Sequence, residues 1–102
     1  MDREDKFDWH ERKAAQNYNK HGISFEEAKA AFSDPDHIEM LDIREDYGEE
    51  RYIRIAMARG KVLFVVYTER DGRIRLISAR KADKGEQNEY YRRKTMGWQN
   101  IE

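Results

Sequence analysis

The sequence predicts an α+β domain built on an antiparallel sheet, and three observations carry that prediction. The first is the run Val62–Arg80, in which two apolar, β-branched stretches flank Asp71-Gly72, a pair able to supply the positive φ angles of a tight hairpin turn. The second is a similar pattern upstream, where Arg51–Ala58 turns through Arg59-Gly60 and returns on Val62. The third is a pair of short helical segments before the strands and another after them, which gives the order helix pair, sheet, helix.

Residues 1–5 read as a frayed terminus, and Phe7 and Trp9 alternate either as a short strand or as anchors for the first helix. Residues 10–21 lack Pro and Gly and predict a helix with Ala14 and Tyr18 inward, stopped by Gly22. Ser24 and Glu27 form a capping box, with Ile23 and Ala28 spaced as a hydrophobic staple; that helix runs to about Phe32 and stops at Asp34-Pro35. Two helices so closely spaced make an N-terminal helical hairpin. His37–Ile43 reads as an edge strand and Glu45–Glu50 as an acidic loop. Asp83 with Glu86 caps a last helix that carries Tyr90, Arg92 and Arg93, with Gly97 as its stop. Three to four antiparallel strands result, in one domain spanning residues 1–102.

If the Asp71-Gly72 turn sets the register, Arg70 faces Arg73, Thr68 faces Arg75, Val66 faces Ile77 and Phe64 faces Ala79. One sheet face then carries Ile53, Ile55, Met57, Val62, Phe64, Val66, Ile77 and Ala79, ending in a polar row of Arg51, Thr68 and Arg75. The opposite face carries Tyr52, Arg54, Leu63, Val65, Tyr67, Leu76 and Arg80, among others.

The chain of 102 residues has no Cys, which excludes disulfides and thiolate metal sites and suits a reducing cytoplasm. No apolar run approaches a membrane span, and the charged N-terminus is unlike a signal peptide. The net charge of -1 conceals an asymmetry: residues 1–50 hold 15 acidic and 7 basic side chains, residues 51–102 hold 6 and 13. A basic half of this kind suits a polyanion, although charge of either sign also serves solubility.

Several stretches together resemble the BrnT family of bacterial toxins: Phe7-x-Trp9, Lys13, Asn17, Lys20–Ala28, Phe32 with Asp34-Pro35, Glu50–Tyr52, Tyr67–Arg70, Ile74–Ala82, Glu86 and Tyr90. His10 and Ala56 depart from that pattern, where an acid and a Gly are common. The resemblance implies a RelE-like fold and a ribonuclease of a type II toxin–antitoxin pair that stops translation. It implies too a BrnA-like antitoxin partner, through which alone the toxin reaches operator DNA.

Metal-free RNA cleavage needs cations for the charged phosphorane and, where available, an acid and a base. Arg51, Arg75 and Arg80 are the expected phosphate clamps, since guanidinium forks match phosphate oxygens. For Arg51 and Arg75, ion pairing to Glu49, Glu50 or helix acids is the competing expectation. His21 is the candidate acid or base, or else a cap on the first helix. Lys20, Tyr67, Arg70 and Arg73 are the expected RNA contacts, against helix-end charge for Lys20 and packing against Tyr52 for Tyr67. His10 and His37 are expected at the surface. No phosphate-cradling Gly loop or metal-binding carboxylate pair is visible, so no cofactor is expected. A second reading keeps the fold and drops cleavage, leaving a protein that only binds its antitoxin for repression; a third is an RNA-binding module without a partner.

Overall fold

The computed structural model describes residues 6–99, and the side chains of 6–96; the expected frayed terminus at 1–5 lies outside them. Its elements are β1 (Phe7–Asp8), α1 (Glu11–His21), α2 (Phe25–Ala28) continued by a 3-10 turn (Lys29–Ser33), β2 (Ile38–Leu41), β3 (Tyr52–Ala58), β4 (Lys61–Arg70), β5 (Arg73–Lys81) and α3 (Lys84–Gln99). The sheet has five strands in the order β1-β5-β4-β3-β2 and is mixed rather than antiparallel, because β1 pairs parallel to β5. Phe7 and Trp9 therefore serve in both expected ways. Phe7 sits in the strand, and its ring meets Phe32 edge-on at 5.3 Å while Trp9 meets Phe25 at 5.8 Å, which fixes the approach to α1.

Both hairpins turn on two residues with positive φ: Arg59 and Gly60 at 51° and 84°, Asp71 and Gly72 at 55° and 76°. From the second turn the expected register holds through Arg70–Arg73 and Thr68–Arg75, then fails. Tyr67 pairs with Leu76, but Val66 pairs with Ser78, so Ile77 is an extra residue in β5, a β-bulge. Past the bulge every side chain of β5 changes face relative to the unbroken register. Phe64 faces Arg80 rather than Ala79, and Ala79 joins the core under the helices.

That core packs Ile23, Phe25, Ala28 and Ala31, from the end of α1 through the 3-10 turn, against Ala56, Leu63, Val65, Tyr67, Leu76 and Ala79. The opposite face gathers Ile53, Ile55, Val62, Phe64 and Val66 with Ile38, Ala82 and Tyr90 of α3. Asp34 ties α3 to the sheet, its Oδ2 accepting from the Tyr90 hydroxyl at 2.5 Å and from the Met57 amide at 2.8 Å. Both expected caps form: Ser24 Oγ accepts from the Glu27 amide at 3.0 Å, and Asp83 Oδ1 from the Glu86 amide at 2.8 Å. α3 continues through Gly97, which was expected to end it; the mild helix penalty of a lone Gly does not stop a formed helix.

In α1 Ala14 packs against the core as expected and Asn17 is buried beside it, while Tyr18, expected inward, is 56% exposed. The Asn17 amide reaches the outer edge of β5 just beyond the bulge. Its Nδ2 donates to the Ala79 carbonyl at 2.9 Å and to the Ile23 carbonyl at 3.0 Å, and its Oδ1 accepts from the Ala79 amide at 3.1 Å. A side-chain amide thus takes the place of a neighbouring strand where β1 no longer reaches. Replacing Asn17 by Ala strands the buried polar groups of Ala79 and should lower stability by on the order of 3 kcal/mol in urea unfolding; a loss under about 0.5 kcal/mol, the level of an ordinary surface change, would refute this role.

Candidate functional site

Arg51, Arg70 and Arg75 converge on the sheet face opposite α1 and α2. Arg51 leads into β3, Thr68 and Arg70 lie on β4, and Arg75 lies opposite Thr68 on β5. Arg51, Arg70, Arg75 and Thr68 line a cleft of about 200 Å³, joined at its rim by His10, Lys13 and Glu49. The first turn of α1 supplies Lys13, brought over the edge of β5 by the β1–α1 connection. Thr68 is buried and donates its hydroxyl to the Glu50 carbonyl at 2.7 Å, tying the acidic loop to the sheet.

The loop is shaped from within by Asp42. Its carboxylate accepts two bonds from the Arg44 guanidinium, both at 2.8 Å, and one from the Tyr47 hydroxyl at 3.1 Å. These bonds, that to Arg44 foremost, pull the Asp42 carboxyl down to about 2 against the cost of its burial. The clip sets Glu49 beside the cleft, where its carboxylate accepts from Arg51 Nε at 2.9 Å and from Arg70 Nη2 at 3.1 Å. The same two guanidinium groups, Arg51 first, hold Glu49 below the usual carboxylate range.

Arg51 pairs with Glu49, one of the partners weighed for it, whereas Arg75 donates at 2.8 Å to Asp8, an acid of β1 rather than of the acidic loop or a helix. These pairs are partly exposed, and exposed pairs contribute only about 0–1 kcal/mol. A phosphate that accepts from the same forks can therefore replace the carboxylates at small cost.

Arg80 and His21 stand apart from this cleft. The unbroken register put Arg80 on the face opposite Arg51 and Arg75; the bulge brings it to theirs, where its guanidinium stacks over the Phe64 ring at 3.9 Å. Five residues of extended chain from Arg75 to Arg80 span roughly 15 Å. Arg80 forks onto Glu86 of α3 at 2.9 and 3.0 Å. His21 ends α1, where Gly22, in the left-handed region at φ 73°, supplies the backbone cap to Tyr18. Burial, with Lys20 and Arg80 adding like charge, holds the imidazole below its ordinary value.

Lys20 is exposed in the last turn of α1, and Arg73 is exposed at the hairpin tip, donating to the Phe7 carbonyl at 3.1 Å. Of the two readings of Tyr67, an RNA contact or packing against Tyr52, the structure takes the second: it is a core residue, 5% exposed, between Phe32 and Tyr52 on the face covered by α1 and α2. Its hydroxyl donates to Glu39, and burial raises its pKa to about 12. His10, Lys13 and Glu49 were not singled out as site residues. The available signals were Lys13's place one helical turn beyond His10 and Glu49's place two residues before Arg51.

Among the described residues no group of three His, Cys, Asp or Glu side chains is arranged to hold a metal ion, and no helix is long and apolar enough to cross a membrane. These features define a small α+β protein with the guanidinium groups of Arg51, Arg70, Arg75 and Arg80 on one sheet face, an arrangement fitted to a phosphate-bearing polymer. The family model described as the ribonuclease toxin BrnT of type II toxin–antitoxin systems matches residues 9–86. The chain belongs to that family: it is a ribonuclease toxin of a type II toxin–antitoxin system, with an antitoxin as its partner. No curated protein sequence matches it.

His21 should titrate below the ordinary imidazole value of 6.5 in an NMR pH series, staying neutral at pH 7, and Arg80→Met should move its midpoint upward. A midpoint at or above 6.5 in the unaltered protein would contradict this environment.

Proposed function

We propose that this toxin cleaves RNA in the cytoplasm without a metal, inhibits translation by doing so, and acts through the cleft between Arg51, Arg70 and Arg75. The helical hairpin, sheet and last helix follow one another as in a RelE-like arrangement, and one domain spans the chain. The observation that carries the proposal is the convergence, at one cleft, of three guanidinium groups, Lys13, an ionised carboxylate and an imidazole.

In this scheme a phosphodiester accepts from the forks of Arg51 and Arg75, with Arg70 and Lys13 beside it. Glu49, released from Arg51 and Arg70 as they turn to the phosphate, takes the proton of the 2′-hydroxyl. The 2′-oxygen bonds to phosphorus, the bond from phosphorus to the 5′-oxygen breaks, and His10 on the rim protonates the leaving oxygen. The products are a 2′,3′-cyclic phosphate and a 5′-hydroxyl end. The positive charge of the cleft opposes the charge that builds on the phosphorane. Arg80, Lys20, Arg73 and His21 extend the binding surface along β5 for flanking nucleotides. The antitoxin is a BrnA-like protein that neutralises the toxin and carries the complex to operator DNA.

Cleavage of RNA by the purified chain in EDTA, compared with Arg51→Ala, Arg75→Ala and Glu49→Gln, tests the assignment. Each variant should keep its circular dichroism spectrum and lose about 10²–10³-fold in kcat/KM. In the free enzyme, where Arg51 and Arg70 hold Glu49 low, the base is lost only as pH falls through that lowered value, so kcat/KM should persist to below pH 4.5 on the acid side. Full activity in folded Arg75→Ala, or activity abolished by EDTA and restored by a divalent ion, would refute it.

A further inference from the structure

The far edge of the sheet has a different chemistry from the arginine face. β2 is the last strand in the order, so its outer backbone groups meet no neighbouring strand. Edge strands are commonly guarded by charge, Pro or a bulge; Ile38-Glu39-Met40-Leu41 has no Pro and no bulge, and its one charged side chain, Glu39, is paired with Arg54 at 2.7 Å. Met40, Leu41 and Ile43 are exposed, Ile43 to 81%. Leu41 and Ile43 form the apolar floor of a shallow cleft of about 320 Å³, closed by Tyr47 and rimmed by Glu45, Asp46 and Glu50. Among the described residues no Lys or Arg pairs with those three carboxylates. An acidic rim repels RNA, and its apolar floor fits side chains rather than a small ion.

We propose that this edge is the docking site for the antitoxin, which lays an extended segment along β2 with apolar side chains on Leu41 and Ile43 and Lys or Arg against Glu45, Asp46 and Glu50. The proposal rests on the toxin–antitoxin reading and adds to it the surface and the partner's chemistry. Strand addition supplies backbone hydrogen bonds, and the alternation of basic and apolar side chains supplies specificity. The cleft is continuous with the arginine site, because Glu49 lines both. A cation of the antitoxin placed beside Glu49 competes with Arg51 and Arg70 for that carboxylate. Docking at the edge thereby reaches the catalytic cleft without occupying it.

The test uses the full chain and its antitoxin. Calorimetry should show that Ile43→Lys and the double variant Glu45→Lys/Asp46→Lys bind the antitoxin at least tenfold more weakly, while the free variants cleave RNA as the unaltered chain does. In the unaltered complex, hydrogen exchange should slow at Ile38–Asp46, a readout that needs no variant. Unchanged affinity in both variants, or protection confined to α1 or α3, would overturn the docking site and leave the toxin–antitoxin assignment standing. Failure of the unaltered chain to bind any antitoxin encoded with it would overturn that assignment and the proposal together. Self-association of the unaltered chain that the variants abolish, seen by sedimentation, would make the edge a contact between copies and overturn the proposal too.

Discussion

One extra residue in β5, Ile77, decides which side chains share a face. Ahead of it Arg75 lies opposite Thr68; beyond it Arg80 lies opposite Phe64, on that same side of the sheet. The outer edge of β5 is satisfied on either side of this irregularity by different means. β1 pairs with Ile74 and Arg75, and the Asn17 amide serves Ala79. Between those two supports the strand is free to bend and twist, as bulged strands do. With Arg80 on this face its guanidinium meets Phe64 and Glu86, which links the strand to the first turn of α3.

Each arginine in this arrangement is held by an acid, yet none is neutralised deep in the protein. Glu49 serves Arg51 and Arg70, Asp8 serves Arg75, and Glu86 serves Arg80. Partly exposed pairs of this kind add little to stability. They orient the planar forks and keep the like charges of neighbouring arginines from repelling at close range. A phosphodiester, whose two non-bridging oxygens match the same planar forks, can then take over a preformed set of donors. The acidic half of the sequence is in this sense part of the basic site, since Glu49 and Asp8 both come from it.

Local chemistry made much of the fold legible. Asp71-Gly72 and Arg59-Gly60 turn as their residue types require, Ser24 and Asp83 cap their helices, and Ile38–Leu41 is an edge strand. What escaped has no local signal. Leu76-Ile77-Ser78 contains no Gly and alternates plausibly in either register, so the bulge is a product of tertiary packing. The two residues of β1 are too few to show a period, and their strand character comes from β5. In α1 the choice of Tyr18 over Asn17 as the inward residue followed hydrophobicity, whereas the sheet edge needed an amide. Arg51, Arg75 and Thr68 were readable as a group because they precede the bulge or lie across from it; Arg80 was not.

The side-chain Nε–Hε resonances of the arginines, followed by NMR as a non-cleavable 2′-O-methyl RNA is added, test the central claim that one sheet face receives the phosphates. Arg51, Arg70, Arg75 and Arg80 should shift together on a single binding isotherm while Arg54, packed against Phe32 on the other face, stays fixed. Shifts at Arg54 and Arg59 with Arg75 and Arg80 unmoved would contradict it.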